Sequence, residues 1–263
     1  MKVPAISVII PTYYRPDMLN TALQSLVNQT FQDFEAIIVI DGGVENYKIE
    51  DLKTSPKVKV IVNEHNKGVS ESRNIGIKHA LGQYIAFLDD DDEYTPDFFL
   101  KTYECLNKSA NEVGLSWCNV KHTYHLHESD IVSTSYKYTK YDNNHNNKIV
   151  LFEDFISIGL GFGVVIKSEC LSKVGMFNSQ LKLADDTDLF LRIMMSGFIP
   201  IVIPEAHVIV NHHNQDRLTG HLYNNQRIQE SKWLLKEYKQ FFEEYGTLKT
   251  DLEKHIERLS ATI

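Results

Sequence analysis

Two kinds of segment alternate along the first hundred residues. Short apolar runs rich in β-branched side chains occupy residues 6–10, 36–40, 58–62 and 84–88. Runs of that length predict strands buried on both faces. Between them, residues 16–28 and 69–81 carry apolar side chains at helical spacing, with Asp17 and Ser70 near their starts as candidate caps. Alternation of strand and helix predicts right-handed crossovers and a mostly parallel sheet. Ligands of such sheets bind beyond the carboxyl ends of the strands, so the polar residues just after each strand are the ones to inspect.

The second half is less periodic. Residues 122–148, rich in Tyr, His, Asn, Ser and Lys, predict a long loop or an exposed hairpin. Residues 163–166 and 199–203 read as strands and 186–195 as a helix. From 222 to 259 the pattern is a charged amphipathic helix pair, broken near Gly246. Its apolar face includes Trp233, Leu234, Phe241 and Phe242, expected to pack on the domain or on a second copy in a homodimer. No internal repeat is present.

Composition narrows the class. A chain of 263 residues, 43% apolar and 24% charged, suits one globular domain with a small appendage. A formal net charge of −8 argues against a nucleic-acid partner, which needs clustered Lys and Arg. The three cysteines, Cys105, Cys118 and Cys170, lack CxxC spacing and fit a reducing compartment. The residues after Met1 run straight into a strand, and no apolar run nears the roughly 20 residues of a bilayer span. A cytoplasmic chain is expected, reaching the inner face of a membrane at most peripherally, through its substrate.

The strongest local signal is Asp89-Asp90-Asp91-Asp92, directly after the apolar run that ends at Leu88. Adjacent carboxylates repel and raise one another's pKa unless a cation neutralises them. Oxygen-only ligands select Mg²⁺ or Mn²⁺, which keep positions open for substrate phosphates. A solvated acidic turn is the bland alternative, and placement after a buried strand weighs against it. An EF-hand starting at Asp89 fails, because Tyr94 and Leu100 stand where Gly and Glu are required. A haloacid-type phosphatase motif fails at Glu93.

Other motifs are weaker. Asp41-Gly42-Gly43 follows the second run, where glycines permit close backbone approach and Asp41 can accept from a base or ribose; Asp-Gly is also a common turn. Pro11-Thr12-Tyr13-Tyr14-Arg15 ends the first run, and a tyrosine there can stack on a base. Asp185, Asp186 and Asp188 open a helix, more acids than capping uses, leaving one as a candidate general base. His122, His125 and His127 lack the companions of a zinc site, whereas His212-His213 can complete a metal shell. Gln229-Glu230-Ser231-Lys232-Trp233 is similar to the Gln-x-x-Arg-Trp signature of processive polysaccharide synthases, but with Lys for Arg, and is taken as chance.

Taken together, the pieces from about residue 5 to 220 resemble family 2 glycosyltransferases. The resemblance rests on Ser7-Val8-Ile9-Ile10-Pro11-Thr12-Tyr13, on residues 22–31, on Asn66-Lys67-Gly68 with Ser72-Arg73-Asn74-Ile75-Gly76, and on residues 82–92 and 185–192. It implies a GT-A fold of the α/β class. Residues 1–100 would form a Rossmann-like nucleotide-sugar half, 101–220 an acceptor half, and 221–263 a C-terminal helical extension. Asp91 would bind Mn²⁺ or Mg²⁺, with Asp89 near the metal or ribose and His212 or His213 completing the shell. Asp41 would contact the base and Arg73 lie near ribose and diphosphate. Pro11, Thr12, Tyr13, Arg15 and Asp90 would add to the donor site, and Arg217 would assist the leaving group. Asp186 matches the catalytic base, with Asp185 the alternative.

Three positions depart from the family pattern: Ile40 replaces one acid of Asp-Asp-Gly-Ser, Tyr14 stands where Asn is frequent, and Asp185 replaces Glu. The implied function is inverting transfer from a nucleoside-diphosphate sugar, UDP foremost, to a glycan or lipid-linked glycan acceptor in surface polysaccharide assembly. The rival is a GT-A module that binds nucleotide-sugar or glycan without catalysis. Retention of both Asp91 and Asp186 weighs against that rival.

Overall fold

The computed structural model describes residues 3–52, 57–126, 131–143, 147–212 and 223–261. Its core is a mostly parallel sheet of β1 (Ile6–Thr12), β2 (Phe34–Ile40), β3 (Val58–Val62) and β4 (Tyr84–Phe87), ordered β3-β2-β1-β4. Every residue of β1, β2 and β4 is buried. That is the expected outcome for apolar runs sandwiched between layers.

Helices α1 (Pro16–Val27) and α3 (Val69–His79) supply crossovers, with a short α2 (Ile49–Leu52) between β2 and β3. Pro16 begins α1, where a missing N–H costs nothing, and Leu19, Ala22, Ser25 and Leu26 form its buried face. Asp17 lies in the first turn but makes no cap; the cap position is Arg15, without a side-chain hydrogen bond.

The buried face of α3 is a correction to the predicted pattern. It consists of Ser70, Ser72, Arg73, Asn74 and Gly76 rather than a row of apolar residues. The helix starts after Gly68, and Ser70 does not cap it but bonds across to Leu181 and Asp185. Polar burial of this kind costs free energy unless most of the groups find partners. Asn74 shows how: its amide donates to Phe177 O at 2.9 Å and its oxygen accepts from Phe177 N at 2.9 Å.

Beyond β4 the sheet continues through β8 (Val165–Lys167), β6 (Val113–Leu126), β9 (Ile199–His212) and the short β5 (Asp92–Tyr94). β6 pairs antiparallel with β7 (Ile131–Lys137), so the hairpin alternative for this region is the one that forms. β9 is 14 residues long, far beyond the predicted 199–203, because it runs parallel to β6 along almost its whole length. Helices α4 (Phe98–Asn107), α5 (Lys148–Ile158) and α6 (Ser168–Val174) were not predicted. The acid-rich helix α7 (Asp185–Met195) was.

The C-terminal region divides twice, giving α8 (Asn224–Glu237), α9 (Lys239–Glu244) and α10 (Gly246–Ser260). One break is at Gly246 as predicted; the other is at Tyr238. Leu234, Phe241, Phe242, Leu248 and Leu252 join the same apolar core as β1 and β4. Phe152 of α5 lies 5.7 Å from Phe241 and 5.6 Å from Phe242, ring to ring. Of the two expected partners of this apolar face, the domain or a second copy, the domain takes most of it. Among the described residues, no helix is long and apolar enough to cross a membrane.

Gly82 tests how tightly the start of β4 packs on β1. A Cβ there would stand 2.5 Å from the backbone nitrogen of Ser7, which cannot move without disturbing β1. Gly82→Ala is expected to destabilise the fold by about 1–3 kcal/mol through overpacking. Urea unfolding followed by circular dichroism should show the midpoint fall with little change in slope.

Candidate active site

The carboxyl ends of β1, β2 and β4 converge with the start of α7, and the acids at these ends are treated differently by their surroundings. After β4, successive residues turn to opposite sides. Asp90 faces inward: Thr12 Oγ1 donates to it at 2.7 Å and Arg15 Nη1 at 3.2 Å. Burial pushes its carboxyl up to about 6, with the Thr12 bond and Arg15 opposing. Asp89 and Asp91 stay partly exposed, and together with Asp92 they bring carboxylate oxygens within 4.8 Å of one another. Such a set fits a hard divalent cation.

Asp92 belongs to the acidic run, but its sequence gives it no individual role. It is buried and accepts from Asn211 N at 3.2 Å, while Asn211 Nδ2 donates to Asp91 O at 3.2 Å and Glu93 at 3.0 Å. The far end of β9 therefore braces the acidic turn, a contact that no local pattern announces.

Arg73 joins this cluster to the acids of α7. Its Nη2 donates to Asp89 at 2.8 Å and its Nη1 approaches Asp185 at 3.3 Å. Asp185 is buried and also accepts from Ser70 Oγ at 2.9 Å. Asp186 is half-buried: its Oδ1 accepts from Thr187 N at 2.7 Å, and its Oδ2 has no hydrogen-bond partner among the described residues. Burial raises both carboxyls, and for Asp186 the charge on Asp185 adds to the rise while Arg73 opposes it.

Gly159 closes over Asp186. Its φ is +56°, and a Cβ would lie 2.6 Å from Asp186 Oδ2. Only glycine meets both conditions without strain. Sequence reading passed over it, because Gly159 lies in a glycine-rich stretch with no recognisable turn motif.

Asp41, the expected base contact, is also bound to its own loop. Its Oδ1 accepts from Asn63 Nδ2 at 2.8 Å and Lys67 N at 2.9 Å, and its Oδ2 from Gly68 N at 2.9 Å. The side chain is buried and anchors the 63–68 loop. Pro11 and Thr12 are buried too; Thr12 reaches Tyr47 Oη at 2.9 Å as well as Asp90. Tyr13 and Tyr14 are exposed and meet edge to face, with Tyr14 at φ +56° and its ring over Gly43. Two exposed aromatic rings thus stand at this strand end.

Of the proposed metal-side histidines, His212 is not part of the acid cluster. Its Nε2 lies 2.9 Å from His122 Nδ1 and its ring stacks on Tyr124 at 4.1 Å. His213 and Arg217 lie outside the described residues.

The family model for glycosyl transferase family 2 matches residues 7–162. The chain belongs to that family. A curated relative, an uncharacterized glycosyltransferase of Haemophilus influenzae, is 29% identical over 205 residues, covering 76% of this chain and 66% of the relative. An Escherichia coli protein named as a colanic acid biosynthesis glycosyl transferase, WcaA, is 28% identical over 228 residues, covering 82% and 76%. The chain thus spans just under two thirds of the first of these relatives.

Among solved structures, S. aureus TarS 1-349 in complex with UDP-GlcNAc matches with a TM-score of 0.67 and 17% identity, over 88% of this chain and 66% of that one. The mannosyltransferase PcManGT of Pyrobaculum calidifontis, in complex with GDP-Man and Mn²⁺, matches with a TM-score of 0.66 and 16% identity, over 100% and 74%. At those identities the likeness speaks to the fold, which is GT-A as the family resemblance implied.

The loop-anchoring role of Asp41 carries its own test. In Asp41→Asn one carboxylate oxygen becomes a donor and cannot accept the loop amides it faces. Hydrogen exchange at Lys67 and Gly68 should quicken by at least about tenfold, corresponding to loss of roughly 1.4 kcal/mol of local protection.

Proposed function

We propose that this family 2 chain is an inverting, metal-dependent glycosyltransferase that uses a nucleoside-diphosphate sugar. One observation carries the reading: Arg73 holds the acid cluster after β4 and the acid pair of α7 around one cleft, through Asp89 and Asp185. A binder of sugar nucleotides has no need of a second, raised-pKa carboxylate facing the first cluster.

Asp89, Asp91 and Asp92 would hold Mn²⁺ or Mg²⁺. That ion supplies neutralisation of diphosphate charge when bound. The remaining chemistry belongs to side chains of the chain itself. Tyr13 offers a stacking face for the nucleobase, and Arg73 a cation beside the diphosphate.

Asp186 is the better base of the α7 pair. The Asp185 oxygen turned to the cleft is engaged by Ser70 and Arg73, whereas Asp186 Oδ2 is free to take a proton from an acceptor hydroxyl. The acceptor's hydroxyl oxygen, its proton passing to Asp186, attacks the anomeric carbon as the bond to the diphosphate breaks on the opposite side, which inverts the centre.

The donor we favour is a UDP-sugar, of hexosyl or N-acetylhexosaminyl type. The acceptor would be a glycan or lipid-linked glycan of surface polysaccharide assembly, reached in the cytoplasm at the inner membrane face. Support comes from the name of the Escherichia coli relative and from the UDP-GlcNAc bound to the structurally similar TarS.

Donor hydrolysis and transfer, assayed over UDP-, GDP- and dTDP-sugars with Mn²⁺, test this directly. Asp91→Ala and Asp186→Asn should each lose about 10²-fold or more in turnover. Near-normal turnover in Asp186→Asn, with Asp185→Asn inactive, would reverse the base assignment. Gly159→Ala, which crowds Asp186 Oδ2, should lower turnover while donor affinity holds.

Because burial and Asp185 raise the Asp186 carboxyl, the base protonates at higher pH than an ordinary aspartate near 4. Turnover should therefore fall on the acid side in a window above that value.

A further inference from the structure

The C-terminal helices reach the α7 acids by more than apolar packing. Glu230 of α8 is buried, and its carboxylate accepts from three successive backbone N–H groups: Lys182 N at 3.1 Å, Leu183 N at 2.9 Å and Ala184 N at 2.9 Å. Those groups form the turn that leads directly into Asp185 and Asp186. Gln226 Nε2 steadies the same carboxylate at 2.8 Å, and no cation pairs with it among the described residues. A buried carboxylate without a counter-ion persists only where several donors converge on it.

A second contact grips α7 one turn later. Tyr238 Oη donates to Asp188 at 2.5 Å, and Asp188 in turn holds Arg192 at 2.6 Å. Arg192 then binds the carbonyls of Val174 and Met176. Ser70 Oγ of α3 lies 3.0 Å from Leu181 O, and its single hydroxyl proton is shared between that carbonyl and Asp185. The turn is thus clamped between α3 and α8, with the acid pair at its end.

We propose that Glu230 is a positioning residue: by binding the 182–184 amides it sets the height and direction of Asp185 and Asp186 over the donor. The role rests on the glycosyltransferase reading above, and it gives α8 a task in transfer beyond covering the core. The Gln229–Trp233 stretch, taken as chance from its sequence, contains the residue that does this. The match to a synthase signature contributes nothing to the argument; the three amide contacts carry it.

The test compares Glu230→Gln with Leu234→Ala, a buried apolar truncation on the same helix that leaves the turn's hydrogen bonds intact. Glutamine keeps one acceptor oxygen but turns a donor toward the amides. Hydrogen exchange of the Lys182–Asp186 amides should rise by about tenfold or more in Glu230→Gln and stay close to wild type in Leu234→Ala. With the nucleotide sugar that wild type turns over in Mn²⁺, kcat should fall by about tenfold or more in Glu230→Gln at unchanged donor KM, since small misplacement of a reacting group is costly. Leu234→Ala should keep its kcat at temperatures where it is folded.

Unchanged exchange in Glu230→Gln would overturn the clamp. Raised exchange with wild-type kcat, or a kcat loss matched by Leu234→Ala, would overturn the positioning role. Should wild type turn over no nucleotide sugar at all, the proposed function fails, and the exchange result still decides the clamp.

Discussion

A guanidinium buried between carboxylates from two separate parts of the chain is the constraint on which the site depends. Burial works against the charge of Arg73, and Asp89 and Asp185 outweigh it. Removing Asp185, the buried acid of the two, would leave the buried guanidinium with a single, partly exposed partner, a destabilising change. The pair of contacts therefore ties the turn after β4 to the start of α7 far more firmly than apolar packing would, because packing tolerates small slips and a bidentate ion network does not. Arg73 Nε is buried without a partner among the described residues, so the network retains one unspent donor on its inner side. The polar buried face of α3 follows from the same constraint: a helix that borders a charged cleft must turn its hydrogen-bonding residues inward.

Much of the first hundred residues was legible because its physics is local. Four apolar runs become β1 to β4, and the acids after β4 fall where parallel sheets place ligands. The second half resisted for the opposite reason. β6 and β9 carry His122, Tyr124, Asn211 and His212, polar residues that break any period-2 pattern, and they are strands because each has the other as a neighbour. Partners 80 residues away leave no trace in a window of ten. The reach of Asn211 to Asp91 and Asp92, and of Glu230 to the 182–184 turn, is of that kind. Asp41 has a role of the same kind: it accepts from the amides of its own 63–68 loop, a contact that the strand-end position alone does not announce.

The extension from α8 to α10 belongs to the same economy. Its aromatic residues lie against α5 inside the common core, and its polar residues reach α7. Folding of this segment is thereby coupled to the geometry of the acid pair. Local opening of α8 would release the 182–184 amides first, since Glu230 is their acceptor.

Four contiguous aspartates would be expected to repel one another out of any fixed arrangement, and the structure shows how the chain tolerates them. Asp90 is withdrawn from the cleft, held by Thr12 and Arg15, with a pKa raised to about 6. Asp92 is withdrawn partway, buried against the Asn211 backbone. Asp91 leans on Arg15 at 3.3 Å and Asp89 on Arg73. Asp90 thus has two protein partners, and each of the other three acids has at least one. Three carboxylates whose oxygens lie within 4.8 Å of one another repel unless a cation joins them, which favours a site over a solvated bend.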